Sequence, residues 1–239
     1  MAGEFRNSLL AALSTADRRL LAPALEPATL APGQTIESSG RPIAHICFPE
    51  SGCVSVIAQA PGNRRIEVGL VGYEGMTGLG LVLGDNRAVN EVVVRVAGNG
   101  WRLSADSAHN LIRMSSSLYQ LLLRYVHAFI AQASQTALAH GRAKLEERLA
   151  RWLLMSQDRF KADKLITTHG LVAETLGVRR AGVTLALHML ESKGLIKSMR
   201  NQIIICDRHG LSEQANGSYG IAEAVYGRLF GSDLAASRD

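Results

Sequence analysis

Two adjacent arginines, Arg179 and Arg180, closely follow Gly177 in the run HGLVAETLGVRRAGVTLALHML. A guanidinium group is a planar fork of donors that fits either the O6/N7 edge of guanine or the oxygens of a phosphate. Thr184, four residues after Arg180, falls on the same face of a helix one turn later. Lys197 and Arg200 lie further on, in GLIKSMRNQIIICD, where a hairpin would hold them against backbone phosphates. Thr167 and His169, at the head of the segment, complete an expected DNA-facing set. The arginine pair admits two readings. Either Arg180 reads a guanine while Arg179 holds a phosphate, or both hold phosphates and specify nothing.

The apolar spacing around these residues describes what must position them. With a helix starting at His169, Val172 and Leu176 fall on its buried face and Ala173 on a crossing point that needs a small side chain. Gly177 occupies a tight turn that requires positive φ. Val178 and Val183 return to the core, which leaves Arg179, Arg180 and Thr184 projecting from the start of a second helix. Gly194 ends that helix. Leu195–Ser198 and Gln202–Cys206 then form a hairpin with Met199–Asn201 as its tip. An ordinary helical hairpin shares the apolar pattern. The small residue, turn glycine, paired arginines and following hairpin together point to a winged helix-turn-helix.

Charge is distributed to match. The 239-residue chain carries a net +5, but residues 141–209 hold thirteen lysines and arginines against seven acids, a net +6. The remainder, with thirteen against fourteen, nets −1. A neutral first part joined to a basic second part is the footprint of a nucleic-acid-binding module. Other chemistries find no support. The histidines form no H-x-H or H-E-x-x-H pair, and Cys47, Cys53 and Cys206 form no C-x-x-C. Cys47 and Cys53 fall in strand-like runs as small buried hydrophobes. No nucleophile, base and metal set converges, so no catalytic residue, metal or cofactor is expected and the chain is not read as an enzyme. NSLLAALSTADRRLLAPAL is interrupted by polar residues and reads as an amphipathic helix, not a signal peptide. No window reaches the roughly 18 apolar residues of a membrane span. A cytoplasmic protein without a membrane partner is expected.

Residues 5–25 read as one or two short helices ending at Pro23 and Pro27. From 28 to 103, short Val- and Ile-rich runs alternate with Gly, Pro and Asn, the rhythm of an antiparallel β-roll or barrel. GYEGMTGLGLVLGDNRA breaks that rhythm with a glycine-rich loop holding a short helix. Residues 104–157 are helical, with breaks expected near Ser115–Ser117 and at Gly141. The stretch Leu118–His140 has few charges and needs cover, either from its own copy in a homodimer or as a core helix within one chain. A charged linker is expected at 158–164. The fold class is therefore α+β. Its expected parts are a β-roll sensor domain with N-terminal helices (1–114), a dimerisation helix (115–157) and a winged helix-turn-helix with a C-terminal tail (158–239).

With LLAALSTADRRLLAPAL, LAPGQTIESSGRPIAHICFPESGCVSVI and GVRRAGVTLALHMLESKGLI in view, nearly the whole chain resembles the Crp/Fnr superfamily of transcription regulators. The resemblance implies a cyclic-nucleotide-binding-like β-roll and a homodimer on an inverted-repeat site in double-stranded DNA. It also implies RNA polymerase as a further partner and an effector pocket at Gly75, Met76, Thr77, Gly78, Arg87 and Ala88. Two departures follow. The family's recognition helix typically has Arg-Glu and a later Arg; here Arg180 stands at the first position, with Ala181 and Leu185 at the others, so the target differs. In the sensor, the carboxylate that holds a ribose falls on Met76 or Thr77, and the Arg-Ser pair becomes Arg87-Ala88. Cyclic nucleotide binding is therefore not expected, and any effector is unidentified. The N-terminal cysteines of iron–sulfur members are absent. The alternative reading is an effector-binding regulatory module that does not bind DNA.

Overall fold

The structure, a computed structural model, describes residues 5–62, 64–231 and 234. Residues 1–4 and 63 of the expected sensor domain, and 232–233 and 235–239 of the expected tail, lie outside them. The chain divides into two units, one of Met1–Ala58 with Leu70–Phe129, the other of Gln59–Gly69 with Ile130–Asp239.

The first unit opens with α1 (Ser8–Ala11) and α2 (Thr15–Leu21), followed by a 3-10 turn over Ala22–Ala24 that contains Pro23. Buried Asn7 caps α1, its side-chain oxygen accepting from the N–H groups of Leu9 and Leu10. Its amide nitrogen donates to the carbonyls of Pro49 and Gly75, at 2.8 Å each, which ties the helix to the strands. Along the chain, seven strands follow among the described residues: β1 (Glu26–Leu30), β2 (Thr35–Glu37), β3 (His45–Pro49), β4 (Cys53–Ala60), β5 (Arg64–Val71), and, after α3 (Leu79–Val82), β6 (Glu91–Val96) and β7 (Gly98–Ser104), the end of β4 and most of β5 belonging to the second unit. They form two sheets, β1-β7-β3 and β2-β6-β4-β5, whose assigned registers are all antiparallel. The short helix expected in the glycine-rich loop is α3, entered through Gly78 at φ +72°. Ile46, Phe48, Val54, Ile57, Val94 and Leu103 fill the core. Cys47 and Cys53 are buried and free, and burial pushes the Cys47 thiol up to about 11.

Two helices close the roll, α4 (Ala105–Met114) and α5 (Ser116–Arg142). The break between them is at Ser115, which adopts extended φ/ψ. The hydroxyls of Ser115 and Ser117 both donate to Asp17 of α2, and those bonds hold its carboxyl below the ordinary value. Division into units falls inside α5, after Phe129.

The second unit continues with α6 (Leu145–Phe160), β8 (Lys164–Ile166), α7 (His169–Leu176), α8 (Arg180–Ser192), β9 (Ile196–Met199), β10 (Gln202–Ile205), α9 (Arg208–Gln214) and α10 (Ile221–Phe230). The break beside Gly141 falls at residues 143–144, where Glu147 accepts from the Lys144 N–H at 3.0 Å to start α6. The α+β class is as expected, with a β-roll, a long helix and a winged helix-turn-helix. Two details differ. The charged linker at 158–164 is shorter, because Asp158 and Arg159 are buried in the last turn of α6. Asp158 accepts from Arg208 at 2.7 Å and from the Tyr219 hydroxyl at 2.7 Å, contacts to residues fifty or more positions away that a local pattern does not reveal. Met199 belongs to β9, paired with Gln202, so the wing tip is Arg200-Asn201 alone, with Asn201 at φ +59°.

Candidate nucleic-acid interface

The turn between α7 and α8 is built from both sides. Thr168 caps α7, accepting from the Leu171 N–H at 3.1 Å, while Val172, Ala173 and Leu176 are buried on the face towards the core. Gly177 ends the helix at φ +63°, and a Cβ there would stand 3.1 Å from the Ile66 side chain on the β5 segment of the same unit. Turn geometry and close approach both select glycine. Arg148 of α6 donates to the carbonyl of Leu176, the last residue of α7, and lies 2.6 Å from His140 Nδ1. Burial, and then the Arg148 charge, lower the His140 pKa from 6.5 to about 4, so its ring is neutral and accepts from Arg148. Trp152 Nε1 donates to the buried Glu67 carboxylate at 3.1 Å, holding α6 against β5.

Held in this way, α8 buries Val183, Ala186, Leu187 and Leu190 and exposes the opposite face. Arg179 is its N-cap and Arg180 its first residue, so both stand at the helix start. Both side chains are exposed, as are Lys197 in β9 and Arg200 at the wing tip. These four cations share one module. The wing's sheet has the order β8-β10-β9, and the third strand, β8, was not legible in the sequence.

Three members of the expected set are placed differently. Thr167 is buried, 7% exposed, because side chains alternate along the extended segment: Leu165 in, Ile166 out, Thr167 in, Thr168 out. Thr168, which sequence reasoning passed over, is the exposed one. His169 and Thr184 are half-buried and face each other, with Nδ1 3.1 Å from Oγ1. The basic balance of the segment is also not all at the surface. Arg151 and Arg159 are buried, and Arg208 is bound to Asp158.

In the β-roll a cavity of about 290 Å³ includes Met76, Thr77, Gly78, Arg87 and Ala88 in its lining, with apolar walls from Ile43, Val56, Val71 and Phe129. Gly75 is not part of the lining: it packs against the Tyr125 ring, leaving no room for a Cβ. Arg87 is exposed and donates to the Gly40 carbonyl at 3.0 Å. The residue that sequence reasoning missed is Glu37 of β2. It is buried in the cavity wall, accepts from the Gly78 N–H at 2.7 Å, and burial raises its pKa. A three-residue strand with a register shift between Thr35 and Glu37 carries no alternation that would have marked it.

With this geometry in place, residues 147–214 match the Crp-like helix-turn-helix domain family. No curated relative matches the chain in sequence. Among solved structures, a Crp/Fnr-family transcriptional regulator from Eubacterium rectale superposes with a TM-score of 0.69 at 18% identity, covering 86% of this chain and 96% of that one. FixK2 from Bradyrhizobium japonicum gives 0.70 at 17%, covering 80% and 96%. A CRP-family regulator from Thermus thermophilus gives 0.68 at 18%, covering 81% and 99%. At these identities the superpositions establish the fold, and the domain match establishes the helix-turn-helix. The chain thus carries a Crp-like helix-turn-helix domain in the architecture of the Crp/Fnr superfamily, the build of a DNA-binding transcription regulator.

Proposed function

We propose that the protein is a homodimeric regulator that binds an inverted repeat in double-stranded DNA, placing one α8 in each of two successive major grooves. The observation that carries this reading is the placement of Arg179 and Arg180, exposed at the N-terminal end of a recognition helix whose opposite face is fully buried. Arg180 reads a guanine edge, Arg179 a phosphate, and Lys197 and Arg200 hold the flanking backbone. The exposed face of α5 supports the dimer. From His127 to Gly141 it presents Ile130, Ser134, Ala137 and Leu138, without a lysine, arginine or carboxylate among its exposed residues. Ile130 and Leu138 are 54% and 55% exposed, which favours cover by a second copy. The buried face of the same helix, including Leu122, Val126 and Phe129, is already covered within the chain.

The β-roll cavity takes a small effector other than a cyclic nucleotide. Glu37 in its wall disfavours an anion, and Arg87 is engaged with Gly40. RNA polymerase is the further partner through which such a regulator acts, and the cytoplasm is its compartment. Among the described residues no helix is long and apolar enough to cross a membrane.

Selection of bound duplexes from a random-sequence library tests the reading. Recovery of an inverted repeat with half-sites one helical turn apart, about 34 Å, is the expected result. Recovery of unrelated sequences, with gel shifts abolished by random competitor DNA, would leave the alternative of a regulatory module without specific DNA binding.

A further inference from the structure

The exposed face of α8 is apolar where a DNA-binding helix is usually polar. Leu185 is 67% exposed and Met189 45%, and Ala181 is exposed one turn before Leu185. The three stand at successive i, i+4 positions and form one row running from the helix start. None of them supports the core, which Val183, Ala186, Leu187 and Leu190 already fill from the other side. Single exposed apolar residues are ordinary, but an aligned row on the face that must be hydrated in the free protein calls for a partner.

The surroundings identify that partner. Arg179, Arg180, Lys193, Lys197 and Arg200 are all exposed in the same module. A surface framed by cations fits a polyanion, and an apolar protein surface would leave those charges unmatched. Within the major groove of DNA, the apolar group presented by a normal base is the 5-methyl of thymine.

We propose that Leu185, with Ala181 beside it, reads thymine methyl groups, so that each half-site joins a guanine held by Arg180 to thymines on the Leu185 side. The inference rests on the proposal of specific DNA binding and adds its readout chemistry. Where a polar side chain would pair with base edges by hydrogen bonds, this helix selects by contact. Thymine is favoured because its 5-methyl is the one apolar group on a base edge that the leucine can cover, whereas the other bases offer it only polar atoms.

The duplex recovered by selection is compared with copies in which single thymines of a half-site are replaced by deoxyuridine, removing only the methyl. Fluorescence anisotropy at one fixed salt concentration measures each affinity. At one or two positions wild type should bind the deoxyuridine copy about fourfold more weakly, the effect of one buried methyl-sized group. Leu185→Ala should bind thymine and deoxyuridine copies equally, with an unchanged melting temperature, since the side chain is exposed. Wild-type indifference to every deoxyuridine, or a thymine preference that survives in Leu185→Ala, overturns the inference while leaving specific binding intact. A loss of self-association in Leu185→Ala without any methyl effect also overturns it, assigning the row to a protein contact. Failure to recover any preferred duplex removes the DNA-binding proposal itself, and this inference with it.

Discussion

His169, the first residue of α7, and Thr184, on the second turn of α8, lie with Nδ1 3.1 Å from Oγ1. The Thr184 hydroxyl also donates to the Arg180 carbonyl at 3.2 Å, so the imidazole Nδ1–H is the donor in the pair. Two residues expected to contact DNA thereby bind one another and fix the angle between the two helices. Thr184→Val keeps the shape and removes the bond. It should lower stability by about 1 kcal/mol in denaturant titration while reducing operator affinity less than Arg180→Ala does. A loss of affinity well beyond the loss of stability would instead make Thr184 a base contact.

Arg180 and Lys197 should separate in their effects. Arg180→Ala should cost about 1–3 kcal/mol on the selected site and much less on random DNA, flattening the ratio between them. Lys197→Ala should weaken both alike and reduce the salt dependence of binding by about one unit of slope. Equal losses on both DNAs for Arg180→Ala would reassign it as a phosphate contact.

The dimer is expected to depend on the uncharged face of α5. Light scattering should give about twice the 25.7 kDa chain mass. Leu138→Glu, placing a carboxylate on that face, should shift the mass towards the single chain. A wild-type monomer at micromolar concentration would refute the arrangement.

Calorimetry with cyclic AMP should show no low-micromolar binding. The cavity offers the buried Glu37 carboxyl, which accepts from the Gly78 N–H, with its Arg87 exposed and bonded to Gly40. A low-micromolar or tighter dissociation constant would show that the cavity accommodates the cyclic phosphate.

His140 sets a pH dependence on the DNA-binding module. Its pKa is lowered in the folded state from 6.5 to about 4, by burial first and by Arg148 second. Its contribution is therefore present above pH 6.5 and is lost as the pH falls towards 4. Melting temperature should decline across that window, and His140→Gln, which cannot gain the charge, should flatten the decline. An identical pH profile in the variant would place the loss elsewhere.

The winged helix-turn-helix was legible in the sequence because its determinants are local. Val172, Ala173, Leu176 and Gly177 are close enough along the chain for a helical period and a positive-φ turn to be read directly. The β-roll followed from strand rhythm, the short α3 from a glycine-rich interruption, and the α4–α5 break from Ser115 and its serine neighbours. What tertiary structure alone decided is which of the candidate side chains remain available. Thr167 is turned inwards by the alternation of an extended segment that pairs with β10, and His169 is occupied by Thr184. The basic count of the second half included Arg148, Arg151, Arg159 and Arg208, which are used within the fold on carbonyls and carboxylates. Glu37 joined the cavity wall through a hydrogen bond to Gly78, forty-one residues away. Local propensity and periodicity act over one or two turns of chain, so they determine elements. Burial and hydrogen-bond partners are set by contacts between residues remote in sequence, and only the packed structure determines those.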